Sequence, residues 1–201
     1  MVNFMMAVIY HPEGLKVEEL PLPDPGEEFV LIKVADTGFC GSDHSLIESE
    51  FLADGTVLGH EVSGTVVGWG KHVSGLREGA RVVIRPAFCG QCRDCRAGRP
   101  HLCTGGRRTI GIGDLPGGFA EYVRVFPQMV IPIPAGVDSR NAALAETFAS
   151  ALHGIKATGN QGGSALVMGG GPIGLAAVNV LKLLGFAPIA LAEPVEGKRE
   201  M

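Results

Sequence analysis

Four cysteines, Cys89, Cys92, Cys95 and Cys103, follow the pattern C-x2-C-x2-C-x7-C. Four thiolates so close in sequence can surround one tetrahedral ion with little help from the rest of a fold. All-sulfur tetrahedral sites select zinc or an iron–sulfur cluster. The bacterial ferredoxin run closes on a three-residue gap with proline after the last cysteine. Here the last gap is seven residues and Thr104 follows Cys103. The spacing therefore points to zinc in the closed form typical of structural sites. Paired disulfides are disfavoured, because the chain opens on MVNFMMAVIYHPEGL, with no positive n-region or long apolar stretch of a secretory leader.

A second set of residues is spread along the chain. The fifth cysteine, Cys40, stands in Gly38-Phe39-Cys40-Gly41-Ser42-Asp43-His44; Gly59-His60-Glu61 and a later acid, Glu146, follow. Cysteine, histidine and carboxylate are ligand types of a catalytic zinc that keeps one position open. On residue types alone the set stays open. A lone cysteine usually packs in a core, a histidine beside an acid is often a satisfied pair, and sequence distance says nothing about spatial contact. In a regular strand His60 and Glu61 would point to opposite faces. Both can face one ion only if the backbone turns, which Gly59 permits.

The third group is Gly169-Gly170-Gly171-Pro172-Ile173-Gly174, a G-x-G-x-x-G turn with Glu193 nineteen residues beyond its last glycine. Gly169 would make the tight turn, Gly171 would admit a pyrophosphate, and Gly174 would let helix and strand pack closely. The following helix, with Pro172 and Ile173 in its first turn, offers free N–H groups to an anion. Glu193 is placed to accept ribose hydroxyls and to repel a 2′-phosphate, which favours NAD over NADP. Lys198 and Arg199 shortly after it either soften that preference or are solvated helix charges.

These groups need elements to hold them. Runs of β type at Met6–Tyr10, Phe29–Thr37, Val62–Trp69 and Arg81–Ile84 are separated by Glu-Gly and Pro-Gly turns. They predict an antiparallel sandwich or barrel. Residues 86–107 lack periodicity and form a lobe that needs its metal to hold a shape. Strand character returns at Gly118–Val125 and Val130–Ile133. A helix is expected over Asp138–Ile155, capped by Asp138 or Ser139. Ala165–Met168, the glycine turn, a helix to Leu184 and a strand at Pro188–Ala192 make a βαβ unit. The reading is thus α/β plus β, with a β domain over 1–148 and a dinucleotide-binding domain starting at 149–201.

The chain has 201 residues and a net charge of −4. With no basic cluster beyond Arg107-Arg108, no nucleic-acid partner is expected. The longest apolar run, Ile173 to Phe186, is interrupted by Asn179 and Lys182 and too short to span a bilayer. Reduced, metal-binding thiols point to the cytoplasm.

Taken together, these motifs resemble the zinc-dependent medium-chain alcohol and polyol dehydrogenases. The matching residues are the Cys40-Gly41-Ser42-Asp43 turn, Gly59-His60-Glu61 and the four-cysteine lobe. Gly118-Phe119-Ala120-Glu121-Tyr122, the Glu146 segment and the Gly169–Gly174 turn also match, in family order over nearly the whole chain. The resemblance implies a chaperonin-10-like (GroES-like) β-barrel domain followed by a Rossmann domain. It implies two zinc ions: a structural one on Cys89, Cys92, Cys95 and Cys103, and a catalytic one on Cys40 and His60. The third catalytic ligand is Glu61 or Glu146. The ethanol-type branch has a cysteine in place of Glu146, so the resemblance is to the sorbitol and threonine dehydrogenase branch.

The implied reaction is hydride transfer between NAD and the CH–OH group of an alcohol, polyol, sugar or amino alcohol. Ser42 would take the hydroxyl proton. His44 directly follows Asp43, whereas the usual relay histidine comes one residue later, where Ser45 stands. His44 is therefore either a relay group or a loop histidine. Asp43 is expected to orient the loop. The segment Glu48–Val57 is shorter than in most relatives, which leaves the substrate open. The stretch after Gly169 has room for one helix and one strand, so an incomplete Rossmann domain is expected, without the surface through which family members form homo-oligomers. The alternative is a non-catalytic zinc-binding remnant that cannot hold NAD productively.

Overall fold

The computed structural model describes residues 4–49, 51–112 and 115–200. The chain folds as two compact units, Met1–Ala143 and Leu144–Met201.

In the first unit, apolar side chains at alternate positions build strands with one buried face. Along β1 (Phe4–His11), Met5, Ala7 and Ile9 point inward. It pairs antiparallel with β2 (Gly14–Pro21), an element the sequence reading did not anticipate, and with the short β4 (Thr56–Val57). The Glu-Gly signal at 13–14 marks the β1–β2 turn, where Gly14 has φ +130°. A second, five-stranded sheet runs β10 (Val130–Pro132), β6 (Arg81–Ile84), β5 (Glu61–Trp69), β3 (Val30–Gly38) and β9 (Tyr122–Val125). Its neighbours are all antiparallel. The β3–β5 register shifts twice, between Leu31 and Ile32 and between Val34 and Asp36. Such bulges bend and twist the pair, and the curl lets the two sheets meet at the Ala7–Ala120 bridge.

The inner face is packed with Val30, Ile32, Val62, Val66, Val82, Val123, Val125 and Met129. Each such side chain contributes on the order of 1.5–3 kcal/mol through burial. The opposite face of β3 and β5 is covered by α3 (Ser139–Ala143), so Ser63 on β5 is also buried. The helix expected over Asp138–Ile155 is in fact two. Asp138 caps α3 through its carboxylate, which accepts the Asn141 N–H at 2.7 Å, and α4 (Ala145–Ala157) starts afresh in the second unit.

In the second unit, β11 (Ala165–Met168) and β12 (Ile189–Ala192) pair in parallel. They are joined by α5 (Pro172–Leu183). Ala151 of α4 packs with Ala176 and Val180 of α5, small residues that let the helices approach. Among the described residues, no helix is long and apolar enough to cross a membrane.

Candidate metal centre and dinucleotide turn

Three candidate sites emerge, two in the first unit and one in the second. The simplest is the cysteine lobe. Residues 89–103 carry little regular structure beyond one helical turn, α2 (Arg93–Arg96), and a 3-10 turn at Pro100–Leu102. The strand pair Ala87–Phe88 and Arg107–Arg108 closes the lobe's base. The four sulfurs converge: Cys89–Cys103 3.5 Å, Cys89–Cys95 4.0 Å and Cys92–Cys103 4.0 Å. A tetrahedron with metal–sulfur bonds of about 2.3 Å has edges of about 3.8 Å. A disulfide needs about 2.05 Å, and all five cysteines are free.

The donors' protonation leads to the same conclusion. N–H groups of Cys95 and Thr104 lower the Cys92 thiol to about 5, while desolvation and the neighbouring thiols push Cys95 up to about 12. Four thiols this close ionise together only around a cation. The donor set and its edges fit zinc. The lobe has no room for bulk on one side, since a Cβ on Gly105 would lie 2.5 Å from Cys89 Sγ.

The second site is organised by Asp43. Helix α1 (Gly41–Ile47) starts at Cys40, which acts as its N-cap, and Asp43 closes a capping box three residues on. The fully buried Asp43 carboxylate accepts the Cys40 N–H at 2.9 Å through Oδ2 and the Gly59 N–H at 3.3 Å through Oδ1. The same Oδ1 lies 3.3 Å from His60 Nδ1. The approach is off the line of the N–H, so it is an ion-pair contact rather than a linear hydrogen bond. Gly59 has φ +95° and precedes the start of β5, so the chain turns just before His60, as its glycine allowed.

One buried carboxylate thus ties the Cys40 turn to the His60 loop, two segments far apart in sequence. Burial opposes its ionisation, but His60 and the N–H groups of Cys40 and Gly59 outweigh that and hold its pKa below the usual value. Asp43 in turn raises the His60 imidazole to about 9 against the opposing effect of burial, with the nearby Cys40 adding to the rise. A carboxylate on one ring nitrogen is the arrangement that orients a metal-binding histidine with its other nitrogen free to ligate.

His60 Nε2 faces Ser42 Oγ at 3.4 Å. Cys40, Ser42 and His60 are therefore brought together. Glu61 is buried and lies against β3, where a Cβ on Gly38 would sit 2.1 Å from Glu61 Oε2. Among the described residues, the four lobe cysteines are the one group of three or more ligand side chains whose donor atoms all lie within 4.8 Å of one another. Cys40, His60 and Glu61 are not drawn in that tightly. Their donor types suit a zinc with an open position. His44 Nδ1 is 3.3 Å from Glu48 Oε2, in an exposed pair one helical turn apart. Glu146 lies in the first turn of α4, in the second unit, and accepts a hydrogen bond from Ser150 at 3.3 Å.

The third site is the glycine turn. Gly169 has φ +106°. Gly171 caps α5 and has open space where a Cβ would be, with Pro172 opening the helix and Ile173 and Gly174 next in its first turn. A Cβ on Gly174 would sit 1.9 Å from Gly169 O, so the start of α5 packs on the turn too closely for a side chain there. Glu193 directly follows β12, and its Oε2 accepts the Gly170 N–H at 2.6 Å while Oε1 accepts the Val195 N–H at 2.9 Å. These two N–H groups lower its pKa. Arg199 Nη1 donates to the carbonyls of Glu193 and Pro194, both at 2.8 Å.

Asp43 orients its loop as expected, through the capping box with Cys40, and in addition reaches Gly59 and His60, which residue types do not report. Comparison with known proteins supplies the remaining context. Residues 26–135 match the alcohol dehydrogenase GroES-like domain. An L-threonine 3-dehydrogenase of Legionella pneumophila is 34% identical over 195 residues, covering 94% of this chain and 56% of that protein. Among solved structures, a zinc-binding dehydrogenase from Sinorhizobium meliloti bound to NADP superposes with a TM-score of 0.87 at 37% identity, covering 98% of this chain and 58% of that one. Galactitol-1-phosphate dehydrogenase from Escherichia coli gives a TM-score of 0.89 at 27% identity, covering 96% and 57%. The chain spans little more than half the length of the curated relatives it matches.

Proposed function

The chain belongs to the alcohol dehydrogenase GroES-like domain family, and from that premise we propose that it serves a zinc-dependent oxidoreductase that transfers hydride between a CH–OH group and NAD. The observation that carries this reading is the Asp43 hub, which assembles Cys40, Ser42 and His60 into one site. Bound zinc supplies Lewis acidity that lowers the pKa of a substrate hydroxyl, and NAD supplies the hydride acceptor.

The chain's own residues do the rest. Cys40 Sγ and His60 Nε2 would hold the ion, with the buried Glu61 as the candidate third ligand within the same unit. Asp43 fixes the imidazole so that Nε2 stays free to ligate. Ser42 Oγ, beside that nitrogen, would accept the hydroxyl proton while passing its own to solvent. The turn at Gly169, Gly171 and Gly174 receives the pyrophosphate at the start of α5, and Glu193 accepts the ribose hydroxyls. The four-cysteine lobe holds a second zinc that does no chemistry. The substrate is a small alcohol, polyol, sugar or amino alcohol, of which L-threonine and sugar alcohols are the first to try. The unpaired thiols suit the cytoplasm.

The test is NADH formation by the zinc-loaded chain with a panel of such alcohols, followed at 340 nm. Turnover with at least one substrate, lost in Cys40→Ser while the lobe zinc is kept, supports the reading. Full turnover in Cys40→Ser would overturn it.

A further inference from the structure

Gly59, the residue before His60, is enclosed by a segment with no ligand of its own. Its N–H reaches Asp43 at 3.3 Å. Its carbonyl accepts the Gly118 N–H at 2.8 Å. The carbonyls of Leu58 and Val57 accept the Phe119 and Gly117 N–H groups at 3.0 and 2.8 Å. Three successive carbonyls are thus gripped by three successive N–H groups.

The fit leaves no room for side chains. A Cβ on Gly117 would come 2.1 Å from Leu58 O and 2.7 Å from Gly59 O. One on Gly118 would come 2.2 Å from Val62 Cγ2, and one on Gly111, which has φ +74°, 2.7–2.9 Å from the Gly59 backbone. The Phe119 ring lies where a Gly59 Cβ would be, at 2.7 Å. The same ring stacks on Phe39 at 5.9 Å, and Phe39 is the neighbour of Cys40.

We propose that Gly111 and the run Gly117-Gly118-Phe119 are positioning residues of the metal centre, a backbone clasp that sets the separation of Cys40 and His60. The clasp engages the Gly59 carbonyl, whereas Asp43 engages the Gly59 N–H. It grips the loop before His60 through peptide groups and the turn before Cys40 through stacked rings. Asp43 fixes direction within the site, and the clasp fixes distance. This rests on the reading that Cys40 and His60 hold zinc.

Gly117→Ala measures it. Cβ atoms essentially never approach another atom within 3.0 Å, so Gly117→Ala must drive the Gly117 segment and the 58–59 backbone apart. The full chain is titrated with Co²⁺, and the thiolate charge-transfer and d–d bands separate the Cys40–His60 site from the four-thiolate lobe. Gly117→Ala is expected to weaken the first site by about 10–100-fold and leave the lobe unchanged. Gly68→Ala, whose Cβ would meet nothing within 4 Å, should match the wild type. Phe119→Leu keeps the peptide bonds of the clasp but loses the ring, and should weaken the first site about 10-fold, the low end for an outer-shell partner.

Unchanged Co²⁺ binding at the first site in both Gly117→Ala and Phe119→Leu overturns the clasp. If Gly117→Ala also loses the lobe site, it has misfolded, and Phe119→Leu alone decides. A wild-type chain that loads only the lobe refutes the catalytic-zinc reading, and the clasp falls with it.

Discussion

Asp43→Ala is the most informative single change. The carboxylate is fully buried and accepts two backbone N–H groups, at 2.9 Å from Cys40 and 3.3 Å from Gly59. Hydrogen bonds to a charged group contribute about 1.5–3 kcal/mol each. The shorter bond belongs at the upper end of that range and the longer at the lower. Loss of both gives a destabilisation of about 4 kcal/mol, a large share of the 5–15 kcal/mol typical of a domain. Asp43→Asn is gentler. Its amide oxygen can keep one N–H, but its NH₂ then faces the other donor, so the cost is about 1–3 kcal/mol. Both variants leave His60 without its anionic partner, which should weaken zinc at Cys40 and His60 by about 10–100-fold. Urea unfolding in the presence of a chelator gives the first number, and competitive zinc titration gives the second. The order Asp43→Ala, then Asp43→Asn, then wild type is expected in both assays. An Asp43→Asn chain with wild-type stability and wild-type zinc affinity would refute the claim that this carboxylate joins the two segments.

Three further outcomes rest on the same geometry. Cys95→Ser should remove one zinc per chain and open residues 86–107 to proteolysis, with the β sheets intact by circular dichroism, because the lobe has little regular structure without its ion. Gly174→Ala should abolish NAD binding in calorimetry and destabilise the second unit by about 1–3 kcal/mol or more, since its Cβ would lie 1.9 Å from Gly169 O. Glu193 has a folded pKa below its ordinary value of 4.5, so its contribution to stability is present above that value and is lost as pH falls through the lower folded value. As pH falls below 4.5, acid unfolding should therefore be steeper in the wild type than in Glu193→Gln, and Glu193→Gln should also narrow any preference for NAD over NADP.

Much of this arrangement was legible in the residues, because its strongest signals are local. The C-x2-C-x2-C-x7-C spacing keeps four donors within reach of one ion whatever the rest of the chain does. The glycine turn is equally local: Gly169 has a left-handed backbone and Gly174 a close packing contact inside one βαβ unit. Strands such as Arg81–Ile84 and Ala165–Met168 were visible as apolar runs between turns. What could not be read was long-range or polar. Strand β2, GLKVEELP, is largely exposed and has no clean apolar alternation, so only its pairing with β1 reveals it. The join between Cys40 and His60 depends on a buried acid reaching across the fold, and residue types cannot report that. The helix expected over Asp138–Ile155 breaks at Leu144, where an apolar periodicity continues across two packing environments.

The central claim is that the chain holds two unlike zinc sites, one of four sulfurs and one containing a single sulfur and an imidazole. Zinc K-edge X-ray absorption on the fully loaded chain measures this directly, because the spectrum averages the ligands over all bound ions. Two equally occupied sites predict about 2.5 sulfurs per zinc together with a nitrogen or oxygen shell near 2.0–2.1 Å, moving to about four sulfurs when Cys40→Ser removes the second ion. A wild-type spectrum of four sulfurs per zinc with no light-atom shell would contradict the account.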